Sequence, residues 1–105
     1  MMETVQIHGV KAKVARSLFE RIRGLIGTKS LEKGEGMLIL RCNAIHTFFM
    51  SFPIDAVFLD RKDNVVKIVR NIKPWRFFVW GGFRAVKVLE IPSSADALRN
   101  CGDNG

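Results

Sequence analysis

Residues 54–69 read IDAVFLDRKDNVVKIV, and this stretch decides the fold class. The apolar run Ile54–Leu59 is followed by the polar tetrad Arg61-Lys62-Asp63-Asn64, and Val65–Val69 then returns. Two apolar runs of strand length around a short polar turn are the signature of a β-hairpin. Asp60, at the edge of the turn, belongs to a residue type whose carboxylate hydrogen-bonds its own backbone there.

Working outward from the hairpin, strands dominate. Upstream, Ile45–Met50 is β-branched and aromatic and is closed by Pro53, and Met37–Leu40 is a continuous apolar run that fits a buried strand. Thr28–Gly36 is a polar loop. Thr4–Ile7 is a short strand turning at Gly9, and Val10–Val14 alternates apolar and basic residues as a half-exposed strand does. The period then changes. Ser17 and Glu20 have the spacing of a capping box, in which each side chain accepts a hydrogen bond from the other residue's backbone amide. Leu18, Ile22, Leu25 and Ile26 follow at helical spacing and Gly27 offers a stop, so a short amphipathic helix is predicted over Leu18–Ile26. Downstream, Pro74–Gly82 is a loop rich in aromatic residues, Val86–Ile91 is a strand closed by Pro92, and Ser94–Asn100 is expected to form a final helical turn. Alternation is weak in Ile54–Leu59 and in Val86–Ile91, which predicts strands covered on both faces. The expected fold is therefore α+β and mainly β: a small barrel-like or sandwich domain with one short N-terminal helix and a C-terminal helical turn.

Size and composition bound the function. The chain has 105 residues, which fits one domain spanning residues 1–105. A chain this short buries about two thirds of its unfolded surface, so a site must lie in a shallow pocket or on a surface. Residues 1–10 lack the apolar core of a signal peptide, and no apolar stretch approaches the roughly 18 residues of a membrane span. A cytoplasmic location is expected. Cys42 and Cys101 fit free thiols in a reducing compartment, with a single disulfide between them left open. The formal charge is +7 and the isoelectric point about 10.0. That balance favours nucleic acid, anionic lipid or acidic ligands, or simply keeps a small protein soluble.

Several short motifs then occur in order: Arg23-Gly24-Leu25-Ile26-Gly27, Gly36-Met37-Leu38, His46-Thr47-Phe48-Phe49-Met50, Pro53-Ile54-Asp55, Phe58-Leu59-Asp60, Val88-Leu89-Glu90-Ile91-Pro92 and Gly102-Asp103. Together, over about residues 15–103, they resemble the bacterial and archaeal family known as domain of unknown function 192. The resemblance implies a compact, mainly β fold with a short helix, and no reaction. This chain departs from the family's pattern twice. Ser93-Ser94 stands where a glycine is frequent, and the chain stops after Gly102-Asp103 where a further strand is frequent.

No complete catalytic constellation is present. His46 lies beside Thr47, shortly after Cys42 and before Asp55. If the strands 45–50 and 54–59 are neighbours, a carboxylate there would orient the imidazole, as in general bases and metal ligands. The structural alternative is a core histidine bonded to a backbone group. Asp55 sits in an apolar run, where a carboxylate must be paired or hydrogen-bonded. It is either a pocket acid, or a structural carboxylate that accepts backbone amides or pairs with Arg23 or Arg41. Cys42 as a nucleophile would have only His46 as its base, and its apolar surroundings suit an inert thiol. The ligand spacings of a zinc site are missing, so no metal and no cofactor is expected. Gly34 and Gly36 do not form a phosphate loop.

The aromatic loop is the other candidate. From Asn64 to Leu89 the chain carries Lys67, Arg70, Lys73, Arg76, Arg84 and Lys87 and no acidic residue, with Trp75, Phe77, Phe78, Trp80 and Phe83 between them. Cations with interleaved rings suit single-stranded nucleic acid, an anionic membrane surface or a protein interface. Alternatively, the rings fold back over the core. The reading preferred from sequence is a non-enzymatic binding module that engages an anionic or protein partner through Lys73, Trp75, Arg76, Phe78, Trp80 and Arg84. The alternative is an enzyme or small-ligand binder with a pocket around His46 and Asp55, using Thr47 and Cys42.

Overall fold

A computed structural model of the chain describes residues 3–17, 20–21, 34–47, 50–76 and 78–93. The hairpin expected over residues 54–69 is formed and makes one end of the main sheet. β5 (Ile54–Leu59) and β6 (Val65–Ile72) pair antiparallel, from Leu59 opposite Val65 to Ile54 opposite Ile72. The turn between them is built by Asp60, whose Oδ1 accepts the backbone amides of Lys62 and Asn64, each at 2.9 Å.

The other strands are β1 (Glu3–Ile7), β2 (Val10–Ala15), β3 (Glu35–Leu40), β4 (Ala44–Ile45), β7 (Val79–Trp80) and β8 (Lys87–Pro92). One six-stranded sheet runs in the order β1-β2-β3-β8-β5-β6, and β4 pairs with β7 in a separate two-stranded sheet. Among the described strands only β2 and β3 pair in parallel.

The expected barrel is corrected here. β1 and β6 are the two edges of an open sheet, and no ladder joins them. The second sheet is a pair of two-residue strands and not the second layer of a full sandwich. Closure is unnecessary because both faces of the open sheet are already covered. Ala15, Met37, Ile39, Ile54, Ala56, Phe58 and Val88 form one core, joined by Ile45, Met50, Val79 and Ala85 from the segments packed on that face. Val10, Ala12, Leu38, Leu59 and Leu89 form the other. This two-sided burial is why β5 and β8 read as nearly continuous apolar runs.

Of the predicted helix Leu18–Ile26 only Glu20 and Arg21 are described, and no helix stands among the described elements. Its capping bonds are formed: the Glu20 amide donates to Ser17 Oγ at 3.1 Å, and the Ser17 amide donates to Glu20 Oε1 at 3.2 Å. The predicted C-terminal turn Ser94–Asn100 and Cys101 lie outside the described residues. The expected strand Ile45–Met50 is ordered as a ladder only over β4. Beyond it the Thr47 backbone turns to the aromatic loop, and the loop expected over Pro74–Gly82 contains β7.

Candidate functional site

The first half of the loop between β6 and β8 is held by Thr47. Its side chain is fully buried. Thr47 Oγ1 donates to the Lys73 carbonyl at 2.7 Å and accepts the Arg76 amide at 2.7 Å. Its backbone amide donates to the Arg76 carbonyl, and its carbonyl accepts the Trp75 amide at 2.7 Å. A hydroxyl both gives and takes a hydrogen bond, so a single threonine closes the turn 73–76 around itself. Trp75 takes a left-handed backbone conformation, φ 72°, within that turn. For a bulky residue this conformation is uncommon and is held only by surrounding contacts.

The second half of the loop is pinned as firmly. The Gly81 amide donates to the Asn43 carbonyl at 2.8 Å, and the Val86 amide to the Leu59 carbonyl at 2.8 Å. Lys67 Nζ donates to the Trp80 carbonyl at 2.8 Å. A side chain at Gly81 would overlap the Phe58 ring, so the loop lies directly on the core there.

The described rings of this pinned loop face solvent at least in part. Trp75 is 57% exposed, Phe78 59%, Trp80 38% and Phe83 90%. Trp80 and Phe83 meet edge to face with centroids 4.8 Å apart, a favoured aromatic geometry. Lys73, Arg76 and Arg84 are exposed beside them. Phe77 lies outside the described residues. The surface therefore presents rings and cations together on a backbone with little freedom to rearrange.

The residues of the alternative pocket are differently engaged. Asp55 is fully buried, and its Oδ1 accepts the Asn71 amide at 2.7 Å. Its Oδ2 lies 3.6 Å from the Arg70 guanidinium. Asn71 has φ 53°, beside the register shift in β5–β6 between Ile54 and Ala56. Asp55 thus holds the irregular end of β6. Cys42 Sγ donates to the Ala44 carbonyl at 3.0 Å, and burial pushes the thiol above its ordinary pKa. Cys42 packs on the first core. Asp55 stands opposite Ile91, a residue of the second core's face, so it projects to the other side of the sheet. His46 is half-buried next to Thr47. Among the described residues no group of three histidine, cysteine or acidic side chains is placed to hold a metal ion.

Sequence reasoning passed over Glu90. It stands opposite Met37 on β3 and Ala56 on β5, in the middle of the sheet, and is fully buried. Its Oε1 has no hydrogen-bond partner among the described residues. Desolvation favours its neutral form and pushes its pKa up to about 8. The signal was in the sequence: Val88-Leu89-Glu90-Ile91 sets an acid in an apolar run, as Ile54-Asp55-Ala56-Val57 does.

The family profile described as "Uncharacterized ACR, COG1430", DUF192, matches residues 1–100. The chain belongs to the DUF192 family. A UPF0127 protein of Thermococcus sibiricus is 38% identical over 86 residues, covering 78% of this chain and 54% of that protein. A UPF0127 protein of Pyrococcus horikoshii is 36% identical over 85 residues, covering 78% of this chain and 72% of that protein. The DUF192 chain thus spans about half the length of the first relative. Two crystal structures share its fold. A protein of unknown function from Novosphingobium aromaticivorans has a TM-score of 0.76 at 24% identity, covering 90% of this chain and 74% of its own. A protein described as a candidate transcription regulator from Sinorhizobium meliloti has a TM-score of 0.77 at 16% identity, covering 96% and 84%. No described helix of this DUF192 protein is long and apolar enough to cross a membrane.

Proposed function

We propose that this DUF192 protein is a binding module whose loop 73–84 engages an anionic partner, with single-stranded nucleic acid as the chemistry that fits best. One observation carries the reading: Trp75, Phe78, Trp80 and Phe83 are all exposed among Lys73, Arg76 and Arg84, on a backbone pinned by Thr47 and by the contact of Gly81 with Phe58. Burying four such rings would have been the cheaper use of them, since an aromatic side chain contributes 150–250 Å² of surface. Their exposure on a fixed loop argues for a partner that covers them. Rings stack on bases of any sequence, and cations take the phosphates between. Along the chain Lys73 and Arg76 stand on one side of Phe78, Trp80 and Phe83, and Arg84 stands on the other, so cations flank the rings.

The Sinorhizobium protein's description concerns that protein, and at 16% identity the shared fold brings no function with it. The test is direct. A Lys73→Ala/Arg76→Ala double variant should bind labelled single-stranded RNA more weakly than the parent at low salt. Its salt dependence should be shallower by about 1.4 in log K against log salt, because a phosphate contact in single strands contributes about 0.7. Unchanged affinity and slope in the double variant would sink the proposal.

A further inference from the structure

At the end of the loop, where Phe83 and Arg84 meet the hairpin turn, a shallow cleft of about 530 Å³ opens between the β5–β6 turn and the start of β8. Asp60, Arg61, Lys62, Asn64, Phe83, Arg84 and Val86 line it. We infer that this cleft is a subsite for one nucleotide unit, its base stacked on Phe83 and its phosphate held by Arg61, Lys62 and Arg84. The inference deepens the reading of loop 73–84 as a nucleic-acid surface and extends that surface onto the hairpin turn.

The chemistry of the lining supports this occupant. The volume falls within the roughly 300–1,000 Å³ of small-molecule sites. Phe83 offers a free ring face, being 90% exposed. It is not a dangling side chain, because its ring meets Trp80 edge to face and the backbone on either side is bonded to Asn43 and Leu59. Gly82 turns there with φ 97°, a conformation suited to glycine, and so sets the direction in which Phe83 leaves the core.

The charges also separate in a useful way. Arg61, Lys62 and Arg84 are exposed around the cleft. Asp60 is the one acid in its lining, and its carboxylate is occupied within the turn, accepting the Lys62 and Asn64 amides and lying 3.4 Å from the Asn64 side-chain amide. The backbone hydrogen bond from Asn64 leads the contacts that hold Asp60 below the ordinary carboxylate pKa, and Arg84 adds to them. Asp63, the other acid of the turn, is paired with Lys87 and is not part of the cleft lining. His8 Nε2 lies 2.7 Å from the Asp63 carbonyl, which ties the turn to the β1–β2 connection. An anion entering the cleft thus meets three cations and one carboxylate that is already solvated by its own turn. Exposed cations with a ring and a small concave volume describe a base with its phosphate better than a flat lipid surface does.

A nucleotide unit has two sources, a free mononucleotide or one position of a strand, and the experiment separates them. Backbone amide NMR shifts are followed while uridine monophosphate and hexauridylate are titrated in turn into the parent protein, Phe83→Ala and Arg61→Ala/Lys62→Ala. Phe83 is exposed, so its replacement leaves the core intact. The expected result is that hexauridylate shifts the amides of Asn64, Phe83 and Arg84 saturably, together with those of Lys73, Trp75 and Arg76. Phe83→Ala should weaken that binding about 5- to 150-fold, the range for loss of one stacked base. Movement of the cleft amides with the monophosphate alone would support the subsite and place its ligand in the free nucleotide pool, against the reading of the loop. Hexauridylate binding that moves residues 73–76 but not the cleft, with Phe83→Ala unimpaired, would overturn the subsite and leave the loop reading standing. Binding of neither ligand would overturn both.

Discussion

Replacing Glu90 by Gln should change how the stability of this protein depends on pH. The two side chains are nearly the same shape, but Gln cannot ionise. In the parent, Glu90 is enclosed between β3 and β5 with a pKa of about 8, against an ordinary value of 4.5. The folded chain therefore keeps this proton after the unfolded chain has released it. Between these two pKa values the unfolded state binds fewer protons, so the Glu90 contribution makes stability fall as pH rises, and the loss is complete above about pH 8. One pKa unit corresponds to about 1.4 kcal/mol, so raising the pH from 5 to 9 costs about 4 kcal/mol through this one group. That is a large share of the roughly 5–15 kcal/mol that holds a small domain together. The assay is urea unfolding followed by far-ultraviolet circular dichroism at pH 5, 7 and 9, for parent and Glu90→Gln. The variant should gain on the parent progressively as pH rises. Cys42, which feels both Glu90 and Arg21 electrostatically, titrates in both proteins, and its direct contribution largely cancels in the difference. Parallel stability profiles for the two proteins would refute the reasoning, because they would mean that Glu90 is ionised and paired in the folded state.

Three further expectations follow from single contacts. Thr47→Val removes the hydroxyl that bridges Lys73 and Arg76, and should cost about 1–3 kcal/mol in chemical denaturation while altering the tryptophan emission spectrum, to which Trp75 contributes. An unchanged spectrum and midpoint would show that the turn 73–76 holds itself. Gly81→Ala drives a methyl group into the Phe58 ring and should destabilise by about 1–3 kcal/mol, read as a lower denaturation midpoint at constant slope. Asp55→Ala leaves the Asn71 amide without its acceptor and its left-handed backbone without support. A loss of about 1–3 kcal/mol is expected, with faster hydrogen exchange at the Ile72 end of β6.

The sequence made the strands legible because their apolar runs are bounded by turn residues with a stated chemistry. Asp60 through Asn64 is the clearest case, since the side chain that predicts the turn also builds it. The covering of β5 and β8 on both faces was readable from their weak alternation. Strand order was not, because pairing β3 with β8 across the chain depends on contacts that leave no periodic mark. The barrel expectation failed for that reason: hydrophobic pattern sets which face is buried and is silent on whether the outer edges meet. At the candidate site, the ring-and-cation composition of the loop was visible, but its support was not. Thr47 read as a pocket hydroxyl beside His46 and is found stapling Lys73 to Arg76, a contact across 29 positions of chain. Glu90 was missed although the argument applied to Asp55 covers it equally.

The central claim is that loop 73–84 is a surface for single-stranded nucleic acid, and the two tryptophans report on it directly, since Trp75 and Trp80 are the only ones in the chain. Their fluorescence should be followed while single-stranded RNA, single-stranded DNA and anionic vesicles are titrated separately at low and high salt. The account predicts a saturable change with the nucleic acids that weakens steeply as salt rises, because bound phosphates release their counterions. A response to vesicles alone, or to none of the three, would contradict it.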